Sequence, residues 1–424
     1  MLDLDLLRTD PDRVRAAIRA KRLGDPEAVD EVLGADRSRR EAVTALNSLQ
    51  QQQGEIGRQI GPLMKEGRRD EAAPLLERSH ALKAEIKDFE EQVRGHDDRL
   101  RTLLLSIPNV IHESVPVGTE ADNVVDAEWG EKPVFGFEAQ PHWEIADRLG
   151  IVDFERGAKV AGAGFPFYVG KGARLQRALV SLFLDLATEA GYTEVQPPLL
   201  VNEASGVGTG QLPDKDGQMY EAERDGLFLV PTSEVALVNY RRDEILDAAD
   251  LPLRYTAYTP CFRREAGSYG KDVRGLNRLH QFDKVEVVEF CRPKESYDRL
   301  EALREVAERA VQALGLPYRR LVLASGDLGM TQTKTYDLEV WSGGQARWLE
   351  VSSISNVESY QARRANVRYR PEVGAKPAFV HTLNASALAL PRIVAALLEN
   401  GQQADGSVAL PEAVAERMGV ARIG

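Results

Sequence analysis

The chain has 424 residues, 43% of them hydrophobic and 28% charged, the balance of a globular protein of two or three units rather than of a disordered one. A net charge of −12 argues against loose, sequence-blind attachment to nucleic acid, which depends on many Lys and Arg releasing counterions from phosphate, so any RNA contact has to be local and shaped. Two cysteines, Cys261 and Cys291, with no Cys-x-x-Cys pair and no histidine cluster, suggest neither a disulfide framework nor zinc. The acidic start Met1-Leu2-Asp3-Leu4-Asp5 and the lack of a run of ~18 apolar residues lead us to expect a cytoplasmic protein with no membrane partner.

Residues 36–104 carry the first pattern. Leu46, Gln53 and Ile60 alternate with Leu49, Ile56 and Leu63 at steps of three and four, the seam of a coiled-coil helix. In a second run Ile86, Val93 and Leu100 interleave with Leu75, Leu82, Phe89 and Leu103, with Ser79 and His96 as polar interruptions. Between them Glu66-Gly67-Arg68-Arg69-Asp70 supplies a helix-ending glycine and a polar turn. Two helices joined so briefly must run antiparallel, as a hairpin of ~30 residues a side and on the order of 45 Å long. Gly54, Gly57, Gly61 and Pro62 weaken the first helix. Basic and acidic residues balance over 36–104, 13 of each, so the chain's acidity lies outside the hairpin. Arg58, Lys65, Arg68, Arg69 and Arg78 gather toward its tip and are the candidates for meeting a polyanion. A dimerisation coiled coil or a spacer is the other reading of the same heptads.

The stretch from Ser106-Ile107-Pro108-Asn109 to Val115-Pro116-Val117-Gly118 reads as a linker, dividing an N-terminal part, 1–105, from a main domain within 106–424. Helical spacing follows at Leu175, Leu179, Leu182, Phe183 and Leu186, and again from Leu303 to Leu314, between a Ser296 cap and Gly315. Strand patterns occur at Val285 to Phe290, Tyr336 to Trp341 and Trp348 to Val351. No repeated strand–helix–strand rhythm appears, so the expected class is α+β, an antiparallel sheet flanked by helices. Gly206-Val207-Gly208-Thr209-Gly210 looks like a phosphate cradle but lacks a helix pattern after it and reads as a loop. A P-loop is absent from the sequence.

The segment from Cys261-Phe262-Arg263-Arg264-Glu265-Ala266-Gly267-Ser268-Tyr269-Gly270 to His280-Gln281-Phe282-Asp283-Lys284-Val285-Glu286 resembles motif 2 of class II aminoacyl-tRNA synthetases, in the form found in the seryl-tRNA synthetase family. Gly191-Tyr192-Thr193-Glu194-Val195-Gln196-Pro197-Pro198 is similar to motif 1, and Leu383-Asn384-Ala385-Ser386 through Pro391-Arg392 to motif 3. Gly326 to Gly329, Lys334 to Trp341, Glu350 to Ser353, Ser355-Asn356 and Gln361 to Arg364 also read as that family, so the resemblance covers essentially the whole chain, hairpin included.

The resemblance implies ATP and L-serine as substrates, Mg²⁺ as the metal, a homodimer with motif 1 at its interface, and tRNA(Ser) as partner and as the polyanion for the basic residues of the hairpin tip, with tRNA(Sec) left open. Making an acyl adenylate brings a carboxylate against the α-phosphate, which calls for cations and directed donors. Arg263, with a planar fork suited to phosphate and carboxylate, is the candidate catalytic residue. By family analogy Arg264, Glu265, Leu279, Phe282, Val351, Ser352 and Arg392 join it around ATP: Glu265 accepts from the adenine amino group, Phe282 stacks, and Arg392 lies near the base and γ-phosphate. Glu350 and Ser353 supply hard oxygens to the ATP site and to Mg²⁺. Thr232, Ser233, Glu234, Glu286 and Ser386 form the serine pocket, and which of them holds the hydroxyl is open at this point. Where many members carry glycine the chain has Ala385 and Ala387, whose methyls forbid positive φ. A carrier-protein amino-acid ligase, which would lack the hairpin, and a non-catalytic RNA-binding paralogue are the alternatives.

Overall fold

The computed structural model describes residues 1–214, 217–265 and 274–424. The chain separates into two compact units, Leu2–Pro108 and Asn109–Gly424.

In the first unit two short helices, α1 (Leu4–Thr9) and α2 (Pro11–Lys21), precede the long α3 (Ala28–Lys65) and α4 (Arg69–Ser106). Asp10 caps α2 by accepting from the Arg13 amide, and Pro11 sits at the first position, where its missing N–H costs nothing. The hairpin is longer than the heptads indicate, 38 residues a side or ~57 Å. Its first turns escape the heptad pattern because Val29 and Val32 are buried at a base that packs on α1 and α2. Asp36 is buried there and accepts from Arg8 at 2.9 and 2.6 Å and from Arg40 at 3.0 Å; hydrogen bonding to Arg8 leads the effects that hold its carboxyl below the usual range. Farther out the polar positions answer each other, Gln53 Nε2 donating to Ser79 Oγ at 2.8 Å and Arg39 pairing with Asp97. Helix α3 runs on through Gly54, Gly57 and Gly61, so the packed seam overrides their low propensity. Gly67, at φ 78°, makes the turn as expected.

The second unit is built on an eight-stranded sheet: β1 (Val124–Trp129), β2 (Thr193–Glu194), β3 (Leu253–Phe262), β4 (Gln281–Cys291), β5 (Tyr318–Val322), β6 (Lys334–Ser342), β7 (Arg347–Glu358) and β8 (His381–Ala389). Its spatial order is β1-β5-β6-β7-β8-β4-β3-β2, antiparallel except where β2 runs parallel to β3. Helices α5 (His142–Leu149), α6 (Lys171–Glu189), α7 (Glu234–Asn239), α8 (Ser296–Ala313), α9 (Tyr360–Ala365) and α10 (Leu390–Asn400) flank it. The α+β expectation holds. Strand β4 is buried on both faces: Val285 and Val287 join the main core with Phe183, Leu303 and Leu398, while Val288 and Phe290 join a second cluster with Val367 and Val380.

Two local expectations are corrected. Ser296 does not cap α8: it is the first helical residue, buried, and its hydroxyl contacts Pro293 O and His381 Nδ1. Gly206–Thr209 lie in a helix, Glu203–Thr209, rather than a loop, with Asn202 as its cap; a Cβ at Gly206 would strike Leu212 and one at Gly208 would strike Asn239. These glycines serve close packing. The linker is fastened within the second unit: Asn109 donates to Thr331 O and Val357 O, both at 2.9 Å, and its amide to Met330 O.

Candidate active site

A cavity of about 390 Å³ opens over four adjacent strands, β7, β8, β4 and β3. The period-two geometry of β4 brings Phe282, Lys284 and Glu286 to it, and β8 contributes Asn384 and Ser386 in the same way. Strand β7 supplies Glu350 through Ser353, the end of β3 delivers Arg263, and α10 begins just after Ala389 to bring Arg392. Thr232 and Glu234 enter at the start of α7. Residues far apart in the chain therefore meet in one concave, mostly polar space.

Two buried carboxylates face this space in different electrostatic settings. Glu286 is ion-paired with Lys284, accepts from Asn384 Nδ2 at 3.3 Å and lies 3.4 Å from Ser386 Oγ. Glu234 makes no ion pair among the described residues; Gln361 Nε2 donates to it at 2.6 Å. Burial, reinforced by the nearby Glu286, pushes the Glu234 carboxyl up to about 7. The two acids are thus set apart, one paired with a cation and one waiting for one.

The guanidinium of Arg263 lies 5.2 Å from the Phe282 ring centre, with Nε donating to Pro231 O at 3.3 Å. Arg392 donates from Nε to Asn277 O at 3.1 Å and from a terminal nitrogen to Glu350 O at 2.7 Å, with the Glu350 carboxylate at 3.4 Å. Glu265 is ion-paired with Arg278 and adopts φ 48°, a left-handed conformation uncommon outside glycine. Ser353 hydrogen-bonds Asp337, its register partner on β6, whose carboxyl is pushed well up by burial and then by Glu350. Glu350 and Ser353 offer oxygen alone, and no group of three or more His, Cys, Asp or Glu forms a metal cage among the described residues. That donor set fits a cation that keeps its other positions for water and phosphate.

Thirteen of the residues expected around ATP and serine line the cavity: Thr232, Glu234, Arg263, Glu265, Leu279, Phe282, Glu286, Glu350, Val351, Ser352, Ser353, Ser386 and Arg392. Two do not. Ser233 is buried behind it, its hydroxyl 3.5 Å from Ala257 O, and Arg264 turns to the Tyr220 ring, 5.7 Å away. Ser352 reaches the cavity, but its hydroxyl is given to Ser386 O at 2.6 Å and ties β7 to β8. Lys284, Asn384 and Gln361 were not singled out from sequence; the first two lie two positions before Glu286 and Ser386, a same-face spacing that could have found them. Motif-2 residues Ala266 to Gly270 lie outside the described residues. Ala385 and Ala387 sit in regular extended strand, buried in the core, so glycine conformations are not required there.

At the hairpin tip Arg68 is held by Glu66 at 3.0 Å and Glu71 at 2.7 Å, and Arg78 by Glu85 at 3.0 Å. Arg58, Lys65 and Arg69 make no ion pair among the described residues and are exposed.

The chain matches a family model described as the seryl-tRNA synthetase N-terminal domain over residues 1–111 and one described as the tRNA synthetase class II core domain (G, H, P, S and T) over residues 219–401. It is 59% identical to a serine–tRNA ligase of Salinibacter ruber over 100% of this chain and 99% of that one, and 51% identical to that of Geobacillus kaustophilus over 99% of each. Among solved structures it is similar to seryl-tRNA synthetase from Pyrococcus horikoshii complexed with ATP, with a TM-score of 0.93 and 36% identity over 100% of this chain and 99% of that one.

Proposed function

The chain belongs to the serine–tRNA ligase family of class II aminoacyl-tRNA synthetases, and from that premise we propose how its cavity shares the work of activating serine with ATP and passing it to tRNA. The observation that carries the reading is the contrast between Glu234 and Glu286. Glu234, buried without an ion-pair partner among the described residues, takes the substrate ammonium, and its proton leaves as the new pair forms. Glu286, already balanced by Lys284, accepts instead from the serine hydroxyl, beside Ser386 and Asn384. Thr232 closes the amino-acid end.

Arg263 holds the serine carboxylate against the α-phosphate; a carboxylate oxygen attacks phosphorus and pyrophosphate leaves. Charge that builds on the phosphate oxygens meets a guanidinium already in place. Phe282 receives the adenine, with Leu279 and Glu265 at its edge, and Arg392 reaches the triphosphate. Glu350 and Ser353 would hold Mg²⁺, which when bound neutralises phosphate oxygens. A ribose hydroxyl at the 3′ end of tRNA(Ser) then attacks the acyl carbon and AMP leaves. Aminoacylation with tRNA(Sec) beside tRNA(Ser) tests whether the second RNA is also charged.

We further read the protein as a cytoplasmic homodimer; two free, buried thiols suit a reducing compartment, and exposed Leu199 and Leu200 beside the motif-1 segment suit an interface. Pyrophosphate exchange with serine, alanine, threonine and cysteine tests the substrate assignment. Serine should be used and alanine rejected by on the order of 10⁴, since alanine leaves buried acceptors unpaired. Comparable exchange with alanine would refute the hydroxyl-binding role of Glu286.

A further inference from the structure

A buried polar cluster behind the cavity wall takes no part in the chemistry above. His142, the first residue of α5, Glu399, near the end of α10, and Ser342, at the end of β6, are all fully buried. Glu399 Oε1 accepts from the His142 amide at 2.9 Å, from His142 Nδ1 at 2.8 Å and from Gln345 Nε2 at 2.9 Å. Its Oε2 accepts from Ser342 Oγ and from the amides of Gly344 at 3.0 Å and Gln345 at 3.2 Å. The other imidazole nitrogen, Nε2, accepts from the Leu276 amide at 2.8 Å. An amide can only donate, so Nε2 is the bare nitrogen and Nδ1 carries the proton toward Glu399.

The cluster is therefore directional. Glu399 fixes the tautomer and orientation of His142, and His142 in turn fixes Leu276. Leu276 and its neighbour Asn277 are buried wall residues of the cavity, and Asn277 O is the acceptor that receives Arg392 Nε. Asn277 Nδ2 also donates to Gln345 Oε1 at 2.9 Å, so the wall is tied to Glu399 by a second route. Gly275, at φ 69°, leaves the space His142 needs; a Cβ there would collide with Nε2. Six donors converge on one buried carboxylate, and through His142 and Gln345 the cluster reaches the turn that carries the acceptor of a cavity arginine.

We propose that His142 is a positioning residue for the nucleotide: through the Leu276 amide it sets the Leu276–Asn277 wall and thereby the guanidinium of Arg392, while leaving the serine end of the cavity untouched. The inference rests on the assignment of the Arg392 side of the cavity to ATP. His142 touches no substrate, so its loss shows in ATP affinity and not in serine affinity.

Two substitutions separate its two hydrogen bonds. His142→Asn can keep a donor near Glu399 but has no acceptor at the distance of Nε2; His142→Gln can place its amide oxygen near that position and accept from Leu276. Serine-dependent pyrophosphate exchange on the full chain, with thermal melting of each variant, should show the Asn variant raising the KM for ATP by about fivefold to tenfold, the effect of one lost hydrogen bond, with the KM for serine unchanged. The Gln variant should stay near the parent, and Gln345→Ala should raise the KM for ATP by less. Equal effects of Asn and Gln, parallel shifts of both KM values, or an unchanged KM for ATP in the Asn variant overturn the proposal. Should the Asn variant not fold, Gln345→Ala decides, and an unchanged KM for ATP there overturns it equally. Failure of the parent chain to exchange with serine would strike the functional reading instead.

Discussion

In the hairpin α3–α4, the partner of any residue follows from its distance to the turn: Arg39 meets Asp97 and Gln53 meets Ser79. In the cavity Glu234 meets Gln361, and Glu286 meets Asn384 and Ser386, across strands and helices whose adjacency is set only by the sheet order. The hairpin is thus specified by local repetition, whereas the cavity depends on long-range pairing. It follows that the two can be damaged separately. Chemistry on small ligands should answer to the cavity alone, and delivery of RNA to the hairpin as well.

The strongest way to sharpen that contrast is Arg263→Ala. Loss of the cation that meets developing charge should lower the exchange rate by on the order of 10²–10³ or more, the scale of one removed transition-state donor. Circular dichroism and melting should stay near the parent, because among the described residues Arg263 makes one long hydrogen bond from its side chain.

Glu286→Ala should weaken serine by about 1–3 kcal/mol, because the serine hydroxyl loses its acceptor, and should leave ATP affinity nearly unchanged, while the stranded Lys284 ammonium lowers the melting temperature. Titration calorimetry with each ligand separates the two; equal weakening of both would move Glu286 out of the amino-acid end.

Glu234 predicts a pH dependence. Its carboxyl is raised to about 7 in the free chain, and an ammonium beside it lowers that value, so binding serine releases a proton. Affinity for serine should therefore fall as pH drops below about 7, by up to about tenfold per unit, and level off above it. Glu234→Gln should bind more weakly and lose this slope. A flat serine KM between pH 6 and 8 in the parent, pH values chosen to straddle about 7, would contradict the assignment.

The smallest effects belong to the hairpin tip. Arg58, Lys65 and Arg69 are the candidates for meeting phosphate, whereas Arg68 is held by Glu66 and Glu71. Arg69→Ala should reduce the salt slope of tRNA charging by about one, and Arg68→Ala by less. A larger effect at Arg68 would mean that RNA displaces its two acidic partners.

The same contrast explains what could be read from the sequence. Heptad spacing identified the hairpin seam, because each seam residue reports on its neighbours three and four positions away. It missed the base at Val29 and Val32, where α3 packs on α1 and α2 and the repeat no longer rules. In the body, motifs 2 and 3 named most of the residues that meet in the cavity. The tie of Gln361 to Glu234, of His142 to Leu276 and of Ser352 to Ser386 depended on the folded sheet, and no local spacing announces such partners.

The division of labour is tested most directly on a chain whose hairpin is shortened, with residues 44–92 replaced by a short Gly/Ser turn so that Asp36 with Arg8 and Arg39 with Asp97 remain. Serine-dependent pyrophosphate exchange and tRNA charging would be measured on the same preparation. The account predicts exchange at the parental rate, because adenylate formation needs only small ligands in the cavity, and charging lost because contacts to the RNA's phosphates and sugars are gone. Charging at parental efficiency would make the hairpin a spacer or dimer strut and contradict the account.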